Sequence, residues 1–294
     1  MPEKTLPIYQ IPDFETEKIS SSEFYYSKLD FHLQKHLFIQ KPHKHDFYIL
    51  LLISSGTGTH TIDFKSYPVM PGSVFFLSPG QVHSWQLSAD TNGHILFFKG
   101  SFYSALFTQR KLMSFSFFHS NHAIPVMEIE AEKVRELTFY FERIDKEITD
   151  PGWSSITQLA SYTDLLLTNC YRYYLEKNLN SSASTMQLDL FQKIEVLIES
   201  NFLENREVSF YADQMNMSIK QLNSVTKKAV GKPISQLILE RVILESKRLL
   251  INSSLTISEI ATHFNLDDPS YFSRLFKRKT SYTPEEFRKS VQSE

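Results

Sequence analysis

Two segments of this chain repeat one another about fifty residues apart, and this repeat constrains the fold more than any other feature. Ala212 lies in "VSFYADQM", which is followed by "NMS" and "IKQLNSVTKKAVGKP". Ala261 lies in "TISEIATH", which is followed by "FNLDD" and "PSYFSRLFKRKTSYTP". Each copy has the pattern of a short helix, a tight turn and a second helix that ends shortly before a proline. The repeat therefore predicts two helix-turn-helix units, at about 208–230 and 256–279.

The predicted helices begin at recognisable capping signals. Three starts have the spacing of a capping box: Ser218 with Gln221, Thr256 with Glu259, and Thr283 with Glu286. In such a box the hydroxyl accepts a backbone N–H, and the later side chain reaches back to the cap. Asp268 followed by Pro269 is typical of an N-cap with proline at the first helical position. Together these signals mark four of the five helix starts that two units and a closing helix require.

The second helices of the two units present matching faces. Apolar residues predict the face that packs inward: Leu222, Val225 and Ala229 in the first helix, and Phe272, Leu275 and Phe276 in the second. Polar residues at i, i+3, i+4 and i+7 predict an exposed stripe: Lys220, Asn223, Ser224 and Lys227, then Ser270, Ser273, Arg274 and Lys277. The two stripes match at an offset of fifty residues.

The composition of the stripes indicates contact with double-stranded DNA. Short hydroxyls bond phosphate oxygens, Lys neutralises phosphates, and Asn and Arg can make bidentate contacts to base edges in the major groove. A solvated helix face usually alternates its charges, whereas Pro269 to Lys279 holds four basic residues and no acid. The predicted DNA-contact residues are Ser218, Lys220, Gln221, Asn223, Ser224, Lys227, Ser270, Tyr271, Ser273, Arg274, Lys277 and Arg278.

Between the two units, Ile234 to Leu250 has the pattern of one long helix. A rigid helix at this place would hold the two recognition helices in a fixed relation. They could then enter successive major grooves on one face of the duplex, about 34 Å apart.

The first 130 residues have a different pattern, with short apolar and β-branched runs broken by Gly, Pro and Ser. The runs "FYILLLI", "THTIDF", "SVFFLS" and "HILFFKG" are separated by turn signals at Gly56, Gly72 and Gly80. Closely spaced strands of this kind predict a sandwich or a small barrel.

From 131 to 177 the spacing of apolar residues becomes helical, as at Val134, Leu137, Tyr140, Phe141 and Ile144. Two amphipathic helices after a β-domain predict either a dimer contact or a cover for one face of the sheet. The stretch 178–187 is polar and rich in Ser, so it is the predicted linker. Residues 188–292 then form the predicted C-terminal all-α domain.

Composition excludes several functional classes. The formal net charge of −2 does not mark a nucleic-acid binder, but Lys220 to Arg248 holds seven basic residues against two acidic ones. The single cysteine, Cys170, excludes an internal disulfide and a thiolate zinc site. The longest apolar run is too short for a membrane span, and the N-terminus lacks the apolar core of a signal peptide, so we expect a cytoplasmic protein without membrane contact.

The last 105 residues or so resemble those of the AraC/XylS-type bacterial transcriptional regulators. The family pattern "GF.D.SYFSR.FK...G.TP..FR" corresponds here to "NLDDPSYFSRLFKRKTSYTPEEFR". The matching residues are Asp268, Ser270, Tyr271, Phe272, Ser273, Arg274, Phe276, Lys277, Thr283, Pro284 and Arg288. Asn265 and Leu266 stand where Gly-Phe is usual, and Ser281 stands where Gly is usual. The resemblance implies that Ser218 to Val230 and Pro269 to Lys279 are the recognition helices.

The β-region resembles, more weakly, the cupin-like sensor domain of the same family, with a His-rich start, Gly turns and a "PG..H" element. Enzymatic cupins hold a metal with three His and a Glu; His43, His45 and His83 match the His positions, but Phe47 to Ile53 offers no carboxylate. We therefore expect no metal and no cofactor. The mouth of a small barrel is a natural ligand cavity. The candidate effector-binding residues are His43, His45, Phe47, Tyr48, His60, Phe76, His83 and Trp85.

The sequence thus predicts an α+β multidomain chain with a cupin-like β-barrel or jelly roll, following helices, and an all-α domain with two helix-turn-helix motifs. We expect a dimeric, effector-responsive transcription regulator that is not an enzyme, and the resemblance favours an activator, with RNA polymerase as a further candidate partner. Two alternatives stay open: a metal-dependent cupin enzyme fused to a DNA-binding domain, and a constitutive regulator whose β-domain only dimerises.

Overall fold

A computed structural model of the chain describes residues 6–14, 22–108, 112–118, 124–178, 185–266 and 268–292. The chain divides into two compact units. The N-terminal domain comprises Pro7–Phe118 with Ala123–Asn178, and the C-terminal domain contains Leu179–Glu294. Within the described ranges, no helix combines the length and the apolar character that a bilayer crossing requires.

The strands of the N-terminal domain are short, as their turn-rich sequence predicts. They are β1 Ile8–Tyr9, β2 Phe24–Lys28, β3 Lys44–His45, β4 Tyr48–Ser55, β5 Gly58–Ile62, β6 Lys65–Val69, β7 Ser73–Leu77, β8 His83–Leu87, β9 Asn92–Phe98 and β10 Val126–Glu128. Its helices are α1 Leu29–Lys35, α2 Gly100–Ser104, α3 Ala131–Thr149 and α4 Ser155–Asn178. Short 3-10 helices lie at Ile11–Phe14, Leu37–Gln40, Leu112–Ser114 and Ser116–Phe118.

The strands form a five-stranded sheet in the order β10-β7-β4-β9-β2, a three-stranded sheet in the order β6-β5-β8, and a parallel pair of β1 with β3. One apolar cluster joins Ile49, Leu51 and Phe97 of the larger sheet to Ile62 and Trp85 of the smaller sheet. The two sheets therefore enclose a common interior, and this confirms the predicted sandwich or barrel.

The central strand β4 is apolar from Ile49 to Ile53 because both faces of the larger sheet are buried there. Side chains alternate between the faces of a strand, so Leu50 and Leu52 point away from the interior. They join a second cluster with Leu137 and Phe141 of α3 and Leu166 of α4. The helices α3 and α4 thus cover the outer face of the sheet, which was one of the two predicted roles for them.

Two details of the β-region differ from the sequence prediction. The run "THTIDF" is not one strand, because β5 ends at Ile62 and the chain turns through Asp63 and Phe64 at φ of 44° and 71°. The register Ile62 to Lys65 makes this a two-residue hairpin leading into β6, a strand that the sequence analysis missed. Asp-Phe lacks the glycine that usually marks such a hairpin.

All regular secondary structure that the structure describes in the C-terminal domain is helical, as predicted. Its helices are α5 Thr185–Asn201, α6 Val208–Gln214, α7 Ile219–Val230, α8 Ile234–Asn252, α9 Ile257–His263, α10 Pro269–Thr280 and α11 Pro284–Gln292. The pairs α6 with α7 and α9 with α10 are the two predicted helix-turn-helix units, and α8 is the predicted long helix between them.

The corners of the two units are equivalent in backbone conformation as well as in sequence. The turn between the helices contains Asn216 in the first unit and Asn265 in the second, and both have a φ of 50°. The C-cap residue that follows α7 is Gly231, with a φ of 73°, and the one that follows α10 is Ser281, with a φ of 69°. Ser281 therefore adopts the left-handed conformation for which glycine is the favoured residue.

The predicted linker 178–187 stays a prediction, and described helices overlap both of its ends. Asn178 is the last residue of α4, residues 179–184 lie outside the described ranges, and α5 already begins at Thr185. The helix begins this early because the spacing of apolar residues that ends at Ile194 and Ile198 runs back through Leu190. The other predicted domain limits stay predictions.

Candidate functional site

The helices α7 and α10 each bury one face in the domain and expose the opposite one. In α10, Phe272 and Phe276 are fully buried and Leu275 is nearly so, while Leu222, Val225 and Thr226 are the buried residues of α7. The N-caps Ser218 and Asp268 accept the backbone N–H groups of Gln221 and Ser270, respectively. The helices therefore start at the predicted residues and turn the predicted apolar face inward.

The exposed faces carry most of the predicted DNA-contact residues. The exposed ones are Ser218 at the N-cap of α7, Lys220, Gln221, Ser224 and Lys227 of α7, and Ser270, Tyr271, Arg274, Lys277 and Arg278 of α10. Neither helix contains an acidic residue. Both faces are consequently positive, and the partial positive charge at each helix N-terminus adds to this character.

Two residues of the predicted stripes face partly inward. Asn223 is half-buried, and its Oδ1 accepts the backbone N–H of Ile234, the first residue of α8, at 3.1 Å. Ser273, fifty residues later, is also half-buried, and its Oγ donates to the carbonyl of Pro269 at 3.0 Å. The i+3 position of each stripe therefore supports the local backbone, because it borders the buried face of its helix.

The capping residues are also engaged within the domain. The Oε1 of Gln221 accepts both the backbone N–H and the hydroxyl of Ser218, at 2.9 and 2.8 Å. Arg274 lies 3.4 Å from the Asp268 carboxylate, and both side chains are more than half exposed. A surface ion pair of this kind contributes at most about 1 kcal/mol, so the Arg274 guanidinium can readily exchange this carboxylate for another partner.

A histidine cluster, defined as His43, His45, His60 and His83, lies in the interior between the two sheets of the N-terminal domain. Each of its members is at most 3% exposed. The rings of His43 and His83 are 4.2 Å apart, and His60 Nε2 lies 3.0 Å from His83 Nδ1. Pairing of β5 with β8 and the bridge between His43 and His83 bring these residues together.

The histidine cluster is uncharged, because burial lowers the pKa values of its members. The pKa of His45 and that of His60 each fall to about 3, and that of His83 falls well below its usual range. His45 Nδ1 must donate to the Phe47 carbonyl, 2.7 Å away, so its Nε2 is an acceptor. The bond between His60 Nε2 and His83 Nδ1 leaves His60 Nδ1 and His83 Nε2 on the outer sides of the two rings. Whichever ring donates in this bond, one of these two remaining nitrogens is a donor and the other an acceptor.

Several polar atoms of this interior have no hydrogen-bond partner among the described residues. They are His45 Nε2, His60 Nδ1, His83 Nε2 and Trp85 Nε1. Trp85 lies beside His60 and His83, with ring centroids 5.3 and 5.4 Å apart. Buried polar atoms are usually satisfied, so the interior offers two donors and two acceptors to an additional molecule.

Two of the predicted effector-binding residues do not belong to this interior. Tyr48 and Phe76 lie on the outer face of the larger sheet, where Phe76 stacks on Phe117 at 3.9 Å. The reason is the alternation of side chains in β7, which turns the neighbouring Phe75 toward His60 at 4.7 Å instead. Phe47 and Trp85 do share the interior with the histidine cluster.

Sequence reasoning also missed aromatic residues that contact the same interior. Tyr9 of β1 lies 5.2 Å from His43, and Phe97 of β9 lies 4.6 Å from Phe47. A consistent assignment of side-chain parity along β7 and β9 would have found Phe75 and Phe97. In the described part of the chain, no three His, Cys, Asp or Glu side chains are arranged to hold a metal ion.

Comparison with known protein families gives one match in each of the two domains. A family model described as an AraC-like ligand binding domain matches residues 26–126. A second model, described as a helix-turn-helix domain, matches residues 211–290. The two matches coincide with the sheets around the histidine cluster and with the helices from α6 to α11.

Several whole proteins are also similar to this chain. The HTH-type transcriptional activator RhaS of Escherichia coli O157:H7 is 25% identical over 256 residues, which is 84% of this chain and 86% of RhaS. The crystal structure of fatty-acid-bound ToxT from Vibrio cholerae covers 93% of this chain and 97% of its own, at 17% identity and a TM-score of 0.41. The C-terminal domain of the response regulator yesN from Fusobacterium nucleatum covers 34% of this chain and 98% of its own, at 25% identity and a TM-score of 0.33.

A double helix-turn-helix domain joined to a β-domain of the ligand-binding type defines a DNA-binding transcription regulator. The chain belongs to the AraC-type family of these regulators.

Proposed function

We propose that the protein is a transcription activator that places α7 and α10 in neighbouring major grooves and responds to an effector held in the N-terminal domain. The observation that carries the DNA-binding half of this proposal is the pair of acid-free exposed faces, one on each second helix of the two units. The similarity to RhaS, a transcriptional activator, supports activation over repression. RNA polymerase is then the partner that an activator must recruit.

The exposed residues divide into two kinds of contact. We assign base reading to Arg274, whose planar guanidinium can bond guanine O6 and N7 together. Lys220, Lys227 and Lys277 supply phosphate neutralisation, and the hydroxyls of Ser224 and Ser270 bond phosphate oxygens. Tyr271 and Arg278 flank this surface on α10. The remaining four predicted residues, which the domain already engages, hold the contacting residues in place: Ser218, Gln221, Asn223 and Ser273.

The effector that best fits the histidine cluster is a small neutral molecule with several hydrogen-bonding groups. The cluster offers both donors and acceptors, and it holds no charge that would favour an anion or a cation. Aromatic faces at Phe47, Phe75 and Trp85 border it. The members of the cluster are enclosed, so the effector enters only when the surrounding segments move. Binding would therefore favour a rearranged state of the domain, which is what a regulatory signal requires.

A constitutive regulator is the second candidate, because every member of the histidine cluster is at most 3% exposed and the interior is closed to an effector in this conformation. The two functions separate in one experiment. Tryptophan fluorescence follows unfolding of the N-terminal domain, since Trp85 is buried there and Trp153 is almost fully exposed. A neutral polyhydroxylated or amide compound that raises the unfolding midpoint, while carboxylates do not, would support an effector site. If no compound in a screened library raises the unfolding midpoint, the result favours a constitutive regulator.

A homodimer is the proposed oligomeric state, with the exposed sides of α3 and α4 as the contact. Large apolar side chains stay exposed there, including Phe139 at 48% and Leu165 at 42%. Light scattering on the purified protein should give twice the chain mass, and Leu165→Glu should give the mass of one chain.

Selection of bound duplexes from a random DNA pool tests the DNA-binding half of the proposal. We expect a bipartite motif with two short conserved blocks about one helical turn apart. Affinity for this motif should exceed that for scrambled DNA by a factor on the order of a thousand or more at physiological salt. Recovery of unrelated sequences only, with equal affinity for scrambled DNA, would refute sequence-specific regulation.

A further inference from the structure

Arg206 connects the segment that precedes the first helix-turn-helix unit to the turn of the second unit. It lies in the connection between α5 and α6, before the first unit begins. Its Nη1 donates to the carbonyl of Phe264, and its Nη2 donates to the carbonyl of Asn265 at 3.0 Å. These acceptors are 58 and 59 residues away along the chain, in the turn of the second unit.

The two acceptors are groups that the second unit leaves without helical partners. The carbonyls at the end of a helix receive no hydrogen bond from an N–H of the same helix. Phe264 and Asn265 directly follow the end of α9. A planar guanidinium can reach two adjacent carbonyls together, whereas an ammonium is a point donor. Its positive charge also suits the C-terminal end of a helix.

The contact reaches the second recognition helix through one further residue. The Phe264 ring is fully buried and stacks on Phe272 of α10, with 6.3 Å between centroids and 20° between planes. Arg206 thus holds the backbone carbonyl of Phe264, and the side chain of Phe264 packs on α10. Movement of α10 relative to the first unit would have to break this contact.

The covalent route between the two units passes through a non-helical joint. The helix α8 ends at Asn252 and α9 begins at Ile257. Arg288 of α11 holds this joint from the second unit, since it donates to the carbonyls of Leu250, at 2.9 Å, and Leu255. Arg206 contacts a different part of the second unit, the turn between α9 and α10, from the segment that precedes the first unit. The two arginines together restrict the angle at which the second unit leaves α8.

We infer that Arg206 is a positioning residue that sets the relation between α7 and α10, and hence the half-site spacing that the protein accepts, without contacting DNA itself. This inference rests on the proposed function, because a spacing preference requires that both helices bind DNA. It assigns spacing specificity to a residue outside both recognition helices.

The test uses full-length protein and a bipartite duplex selected by the wild type from a random pool. Further probes carry one base pair inserted or removed between the two blocks, or have either block scrambled. Arg206→Ala should bind each single-block probe within about twofold of wild type, yet bind the selected duplex about tenfold more weakly, because preorganisation of the two units is lost. For the wild type, inserting or removing one base pair should reduce affinity relative to the selected duplex. In Arg206→Ala this reduction should be smaller by at least threefold or so, since the joint is free to adapt.

Arg206→Lys is the matched variant, because it keeps the charge and loses the two-carbonyl geometry. We expect it to behave like Arg206→Ala in the spacing series. Full recovery by Lys would overturn the inference in favour of a charge effect such as phosphate contact. An unchanged spacing penalty in both variants, equal losses on single-block probes, or failure of both variants to fold would also overturn it. If the wild type selects no bipartite motif, the proposed function fails instead, so the two failures are distinguishable.

Discussion

Ile234 donates its backbone N–H to the side-chain Oδ1 of Asn223 at 3.1 Å, so a residue of the predicted DNA-contact stripe also caps the start of α8. Pro233, at the N-cap position, makes no side-chain capping bond, and Ile234 is fully buried. The carboxamide of Asn223 therefore replaces the cap that the helix lacks. This ties the end of the first recognition helix to the long helix between the units.

Asn223→Ala should destabilise the C-terminal domain by about 1–2 kcal/mol, because the Ile234 N–H loses its acceptor. Asn223→Asp keeps an acceptor at the same place and should keep most of the stability. Urea unfolding followed by far-ultraviolet circular dichroism measures the loss. Tryptophan fluorescence in the same samples should not change, since both tryptophans lie in the N-terminal domain. Equal stability of all three proteins would contradict the capping role.

Arg274→Ala should relax base preference at one position of the selected motif, at a cost of about 1–3 kcal/mol for the preferred base. The physical reason is loss of a bidentate contact that a methyl group cannot replace. Binding to a series of single-base variants of the motif measures the change. Arg274→Lys keeps the charge without the planar fork and should relax preference at the same position. An unaltered motif in both variants would show that Arg274 does not read a base.

Lys227→Ala and Lys277→Ala should weaken binding to all sequences alike and reduce the slope of log affinity against log salt by about one unit each. The reason is that each Lys neutralises one phosphate and releases its counterion. Titrations of the selected and a scrambled duplex at several salt concentrations give the slopes. Lys146→Ala, an exposed residue of α3 in the N-terminal domain, is the control and should leave the slope unaltered. If Lys227→Ala kept the wild-type slope of log affinity against log salt, the assignment of this phosphate contact to α7 would be wrong.

The sequence predicted the C-terminal domain closely because its signals are local. Each helix start there depends on residues within four positions of one another, as at Ser218 and Thr256, and the repeat supplied an internal comparison. Even the departure at Ser281 is accommodated by backbone conformation alone. The inward turn of Asn223 was not predictable, because its partner Ile234 lies eleven residues away across a corner.

The N-terminal domain was predicted less completely because its site depends on strand register. The contact of His60 with His83 requires β5 to pair with β8 in one register, and a shift by one residue would turn His60 away. Apolar runs buried on both faces, such as β4, give no clue to which residues face which way. This is why Phe76 was placed in the interior that Phe75 occupies.

Acid should destabilise the N-terminal domain through the histidine cluster. Burial holds the pKa of His45 and of His60 at about 3, whereas an unfolded chain restores the usual value of 6.5. Below pH 6.5 the unfolded state therefore binds protons that the folded state does not, and stability falls until the pH approaches 3. Each such group contributes roughly 1.4 kcal/mol per pH unit to this slope.

Replacing one titrating member tests the origin of the acid sensitivity. His60→Asn should lower the slope of unfolding free energy against pH, between about pH 6 and 4, by roughly 1.4 kcal/mol per pH unit. Urea unfolding followed by tryptophan fluorescence measures it, because Trp85 contacts His60 and is itself buried. His263→Asn, at an exposed position of α9, is the control and should leave the slope unaltered. A slope in His60→Asn equal to that of the wild type would mean that other groups set the acid sensitivity, and that His60 is not held neutral by its surroundings.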